Sequence, residues 1–158
     1  MASKTLLAAA LLLGATTARA QRTFTGLPLW ADSALRAGGL DQRFTLSSRL
    51  NPVYQFGDFD RDGLTDVAVE ILDAGLRCGL AIVHRIDRSV HIVGAGQPIG
   101  NGRDHLARFG GWGVSSPRHA GGHFGFGPDL VFITDPGAPD GWVVWDGRSY
   151  VWVAGDGV

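Results

Sequence analysis

Residues 57–70 read Gly-Asp-Phe-Asp-Arg-Asp-Gly-Leu-Thr-Asp-Val-Ala-Val-Glu. Aspartates stand at alternate positions, 58, 60 and 62. Gly63 follows, Asp66 ends the acidic run, and an alternating apolar segment begins at once. Carboxylates at alternate positions can all point inward if the chain curls tightly around one ion. Calcium, a hard cation with roughly six to eight oxygen ligands at flexible geometry, suits such a curl. Asp58, Asp60 and Asp62 would supply side-chain ligands, Leu64 its backbone carbonyl, and Asp66 would close the site. Gly63 takes the sharp bend, because it reaches positive φ without a Cβ clash. Four carboxylates in one short loop repel one another, and Arg61 is the only cation among them. A divalent ion answers that repulsion. Magnesium fits less well, since it demands near-ideal octahedral geometry and keeps several waters. The plainer alternative is an Asp/Gly-rich turn that holds no metal and is capped by its own side chains.

The loop is not an EF-hand. That motif requires a bidentate Glu at its twelfth position. Counted from Asp58, the twelfth residue is Val69, Glu70 comes one place late, and no exiting helix follows. Over about Tyr54–Leu72 the sequence instead resembles the loop of FG-GAP/VCBS-type repeats, the calcium repeats of integrin-α-like propellers and of many secreted bacterial proteins. The resemblance implies the same five ligands, Asp58, Asp60, Asp62, the Leu64 carbonyl and Asp66, with Ca2+ as the ion. The family usually repeats the loop, and this chain carries one copy. The stretches around Gly94–Gly102 and Trp145–Trp152 are similar to parts of small secreted bacterial proteins with a single such loop.

The chain has 158 residues, 45% of them hydrophobic, and 24 glycines. One domain with a substantial core is expected at this length. High glycine with modest charge points to many turns, not to disorder. Residues 1–20 read as a secretory signal peptide, with Lys4 before an apolar Leu6–Leu13 run and Ala18-Arg19-Ala20 fitting the small-residue cleavage rule. That run is too short to span a bilayer. Cleavage near Ala20 would leave residues 21–158 as one β-rich domain, secreted or periplasmic, with no membrane span. It would also leave 12 arginines against 15 acidic residues. That balance lacks the basic footprint of a nucleic-acid binder and any polybasic membrane patch. Cys78, the only cysteine, can form no internal disulfide and is expected to begin a buried strand.

Along the chain, Pro28–Arg36 is predicted as a short helix with Leu27, Trp30, Ala31, Ala34 and Leu35 on one face and Gly38-Gly39 as its stop. Pro52–Phe56 leads into the acidic loop as a strand, and Leu64–Leu72 leaves it as another. Leu80–Arg85 and Ser89–Val93 form a hairpin around Asp87-Arg88. With Arg85 opposite Val90, His84 faces His91 at a Cβ separation of about 4.5–5.5 Å, close enough to share a transition metal. No third ligand is identifiable, so the pair is expected on a partly exposed sheet face. Gly94–Gly100 imitates a dinucleotide fingerprint but lacks the strand–turn–helix context and reads as a loop. Phe109–Pro128, with His119 and His123, is expected to be an irregular glycine-rich surface loop. Asp129–Thr134 is a strand, and Gly141–Val153 a hairpin with Asp146-Gly147 at its turn. The aromatics of Trp142–Trp152 are expected to fill core.

The expected fold is mainly β: an antiparallel meander, sandwich-like or partly propeller-blade-like, with six or seven strands and a short N-terminal helix. A full propeller needs more chain. The favoured function is a calcium-stabilised module binding an unknown protein or glycan partner. Two alternatives stand beside it. One is a glycan- or cell-wall-binding module using the Trp142–Trp152 hairpin. The other is a hydrolase in which His105, His119 or His123 converges on the calcium loop. No nucleophile elbow or catalytic cysteine pair is present, so no catalytic residue is assigned.

Overall fold

The computed structural model describes residues 26–99, 103–106, 109–115, 129–134 and 141–154. Two helices come first, α1 (Leu29–Ala37) and α2 (Leu40–Arg43). The strands follow: β1 (Thr45–Leu46), β2 (Tyr54–Gly57), β3 (Asp66–Leu72), β4 (Cys78–Val83), β5 (Val90–Gly94), β6 (Phe109–Ser115), β7 (Asp129–Thr134), β8 (Gly141–Trp145) and β9 (Tyr150–Ala154). The first sheet runs β1-β3-β4-β5, with β2 also paired to β3, and the second is a β6-β7-β8-β9 meander. All pairings are antiparallel. The expected mainly-β fold is thus present, with β1 and β6 added to the strands read from sequence.

The first sheet lies between two apolar layers, which is why its central strands are buried on both faces. Side chains alternate across a strand. Val67, Val69 and Ile71 of β3, with Ala81 and Val83 of β4, join Leu27, Ala31, Ala34 and Leu35 of the α1 region in one core cluster. Ala68, Leu80, Ile82 and Val93 point the other way and join Trp112, Val143 and Tyr150 of the second sheet. A strand apolar on both faces reads as a continuous run rather than an alternation; residues 80–83 do so, and residues 67–72 do so but for the buried Glu70. Helix α1 has the predicted apolar face, and Gly38 closes it by donating its N–H to the Ala34 carbonyl.

Two features differ from the sequence reading. The β4–β5 register pairs Val83 with Val90 and Ile82 with His91, two residues away from the register that sets Arg85 opposite Val90. The chain turns sooner, because the His84 N–H already bonds the Ser89 carbonyl. In addition, 109–115 is not loop but strand β6, its glycines accommodated in a ladder against β7 that shifts register between Phe109 and Gly111. Trp112 supplies the reason. Its buried indole donates to the Pro52 carbonyl at 2.6 Å, and its own carbonyl accepts from the Gln55 side chain at 3.3 Å. This reciprocal pair fastens β6 to the segment leading into the acidic loop. The rest of the expected loop, with His119 and His123, lies outside the described residues, as does the predicted 135–140 turn.

Candidate metal centre

The acidic loop joins β2 to β3 and is anchored from inside. Phe59, between two aspartates, is 2% exposed and lies in the inter-sheet core with Leu50, Ala68 and Ile82. Burying such a ring is worth roughly 1.5–3 kcal/mol, so the flanking carboxylates are carried down toward the protein with it. Asp66, the first residue of β3, is fully buried. Its Oδ2 accepts the N–H groups of Phe59 at 2.9 Å and Asp60 at 3.3 Å, and its Oδ1 accepts that of Arg85 at 2.8 Å. One carboxylate therefore draws the near limb of the loop and the β4–β5 turn onto the same point.

The outer limb is organised by its own aspartates. Asp58 Oδ2 accepts the Gly63 N–H at 3.0 Å, Asp60 Oδ1 that of Asp62 at 3.1 Å, and Asp62 Oδ1 that of Leu64 at 2.7 Å. Asp58, Asp60 and Asp62 thereby bring one carboxylate oxygen each within 4.8 Å of the others. Asp58 Oδ1 is buried with no hydrogen-bond partner, an acceptor that water does not reach and no donor satisfies. Such groups are costly. A cation is the kind of partner that fits it, and the residues present match one that prefers oxygen. Leu64, expected to give its carbonyl, is exposed at the loop's crest.

Asp66 belongs to a second group. Asp60, Asp66 and His84 also offer ligand atoms within 4.8 Å of one another. His84 directly follows β4, and one step beyond the Val67–Val83 pair the same register brings it alongside Asp66. Only 3% exposed, its ring places Nδ1 3.2 Å from Asp60 Oδ2 and Nε2 2.8 Å from the Tyr150 hydroxyl. Aromatic neighbours enclose it: His91 at a centroid distance of 4.3 Å, Trp145 at 5.0 Å and Tyr150 at 5.7 Å. The two histidines do share a face, but diagonally and with His84 buried rather than partly exposed, and the ligand-type side chains that sequence reading did not place beside His84 are the loop's own Asp60 and Asp66.

The electrostatics follow from burial. Burial pushes Asp66 up to about 6, against the amides of Arg85 and Phe59, with the charge of Asp60 adding to the rise. Burial also raises Asp60, opposed by the Asp62 amide and His84 and reinforced by Asp62 and Asp58. His91 is lowered, by burial first and by the neighbouring His84 second. At both carboxyls burial outweighs the amide contacts, so both hold protons more tightly than usual.

Other candidate residues lie elsewhere. His105 is exposed and pairs with Asp104 at 2.9 Å. Cys78 opens β4, half-buried and outside any disulfide. The β8–β9 register puts Trp145, Tyr150 and Trp152 on the face toward the core and Trp142 on the opposite one, so the aromatics do not line up in one outward row. No helix among the described residues is long and apolar enough to cross a membrane. No protein family, curated protein or solved structure matches the chain.

Proposed function

We propose that this chain is a calcium-stabilised β-sandwich module, secreted or periplasmic, whose task is to bind a protein or glycan partner on a scaffold made rigid by the ion. The observation that carries the calcium reading is the buried, unpartnered Asp58 Oδ1 in a loop where three carboxylates converge. Asp58, Asp60 and Asp62 would hold the ion, with the Leu64 carbonyl beside them. Asp66 supports the site from behind by ordering the Phe59 and Asp60 amides. When bound, calcium supplies charge neutralisation and oxygen coordination. The loop spans the β2–β3 turn, whose register pairs Gly57 with Asp66 and Tyr54 with Val69, so an ion fixed there holds that register. The resemblance to FG-GAP/VCBS-type loops supports Asp58, Asp60, Asp62 and the Leu64 carbonyl as ligands, and differs in counting Asp66 among them. A secreted module would meet calcium at concentrations that satisfy weak sites.

The test is a thermal melt in EDTA and across a calcium titration, with Asp58→Asn alongside. The substitution keeps an oxygen for the Gly63 N–H and removes the charge. Calcium is expected to raise the melting temperature of the wild type and to leave that of the variant unchanged. Superimposable wild-type curves with and without calcium would reduce the loop to a turn.

A further inference from the structure

We propose a second metal site beneath the loop, formed by Asp60, Asp66 and the Nδ1 nitrogen of His84, and selective for a borderline transition cation of the zinc class. The proposal goes beyond the calcium reading and stands on a different residue, a buried imidazole.

Ligand type comes first. Calcium takes oxygen ligands, whereas imidazole suits zinc, copper, iron and nickel. One nitrogen and two carboxylates make a three-ligand set of the kind that zinc completes with water. Spacing comes second. Ligands at about 2.0–2.1 Å around a tetrahedral zinc stand roughly 3.3 Å apart. His84 Nδ1 and Asp60 Oδ2 are 3.2 Å apart. That spacing lies at the long end of an ordinary N–H···O hydrogen bond, and it is equally the spacing of two ligands sharing one ion.

The outer partner comes third. A metal-bound histidine almost always places its other ring nitrogen against a fixed polar group, which sets the tautomer and the ring orientation. Tyr150 does this for Nε2 at 2.8 Å, from the opposite sheet. In the metal-free state, a neutral ring with its proton on Nδ1 donates to Asp60 and accepts from the Tyr150 hydroxyl. When the ion takes the Nδ1 lone pair, the ring proton resides on Nε2 and the same hydrogen bond reverses. The Tyr150 hydroxyl both donates and accepts, so it serves either tautomer, and the proton count of the ring is unchanged.

Asp60 can belong to both sites because its oxygens face different ways. Oδ1 turns to the loop, where it meets the Asp62 amide, and Oδ2 turns to His84. A bridging carboxylate of this kind would let one ion sense the other.

The experiment is isothermal titration of the purified protein with zinc, with cobalt(II) absorption as the spectroscopic reporter, on the wild type and four variants. A single zinc per chain is expected at Asp60–Asp66–His84, with visible cobalt bands of nitrogen–oxygen ligation. His84→Gln should abolish both. Tyr150→Phe, which keeps all three ligands, should weaken zinc roughly 10–100-fold. Asp58→Asn should lose the calcium response and keep zinc, which separates failure of the calcium reading from failure of this one. A His119→Ala/His123→Ala double variant should keep zinc as well. The proposal is overturned if zinc does not bind the wild type, if His84→Gln folds and binds it undiminished, or if Asp58→Asn abolishes it. Should His84→Gln fail to fold, X-ray absorption of the zinc-loaded wild type decides, with one imidazole in the coordination shell supporting the site and none refuting it.

Discussion

Among the described residues, two groups of aspartates that accept backbone amides differ in one respect. Asp73, Asp87 and Asp146 each accept backbone N–H groups two to four residues ahead. Each is held below the usual carboxylate range, and in each the largest cause is that amide contact. Asp60 accepts an amide two residues ahead and Asp66 accepts three from farther away in the chain, yet both are displaced upward, because burial outweighs the amides. Side-chain-to-amide bonds suffice for a carboxylate that water also solvates. Beneath a loop pinned by Phe59 they do not, and the remaining deficit is one that a cation can fill. Burial at Asp60 and Asp66, not the spacing of the aspartates, therefore sets this loop apart from the ordinary Asx turns.

Removing the pin should have the largest effect. Phe59→Ala leaves a cavity in the inter-sheet core and is expected to cost about 3–5 kcal/mol in urea unfolding. A smaller loss, with the calcium response intact, would mean that the loop organises itself without its buried ring.

Next comes the pH dependence of the metal-free protein, measured in EDTA. The unfolded chain releases the Asp66 proton near the ordinary value and the folded chain near 6. Between those values the folded state binds more protons, so this group's stabilising contribution is full below about pH 4 and is lost as pH rises through 6. The displacement corresponds to roughly 3 kcal/mol at most. His91, lowered by burial, acts in the opposite direction as pH falls. Subtracting the profile of Asp66→Asn isolates the Asp66 contribution. A flat difference between pH 4 and 7 would contradict the assigned burial of this charge.

Calcium itself should add about 2.7 kcal/mol at a hundredfold excess over its dissociation constant. Asp58→Asn should erase that gain and Asp146→Asn should leave it untouched, although both replace a turn aspartate that accepts a backbone amide. If Asp146→Asn also blunts the response, the ion acts nonspecifically on surface charge.

Much of this was legible in the sequence, for local reasons. The α1 face, strand β7 and the β8–β9 hairpin follow from periodicity and turn residues, which depend on neighbours in the chain. Asp58, Asp60 and Asp62 were legible because their spacing lies within one loop. His84 as a partner of the loop was not, since it depends on long-range pairing of β3 with β4. Continuing a Val67–Val83 register by one step reaches Asp66 and His84 together, but a reading two residues out at the β4–β5 turn directs attention to His91 instead. Strand β6 was obscured by its glycines, which lower strand propensity. Its stability comes from Trp112 and Gln55 across the sandwich, and no local pattern shows that.

The finest comparison is between two glycines. Gly63 in the acidic loop has φ +88°, Gly147 in the β8–β9 turn has φ +97°, and a Cβ at either position would meet nothing within 4 Å. Alanine therefore changes only the backbone at both, and forcing it into left-handed geometry costs roughly 1–2 kcal/mol. In EDTA, Gly63→Ala and Gly147→Ala should be about equally destabilised in urea. With calcium they should diverge, because the Gly63 N–H holds Asp58 Oδ2 and a shift of that amide disturbs the carboxylate that carries the unpartnered oxygen. Gly147→Ala should keep the full calcium increment and Gly63→Ala only part of it. Equal costs in both media would mean that backbone order at Gly63 is not linked to the ion, and the acidic loop would then join the other turns after all.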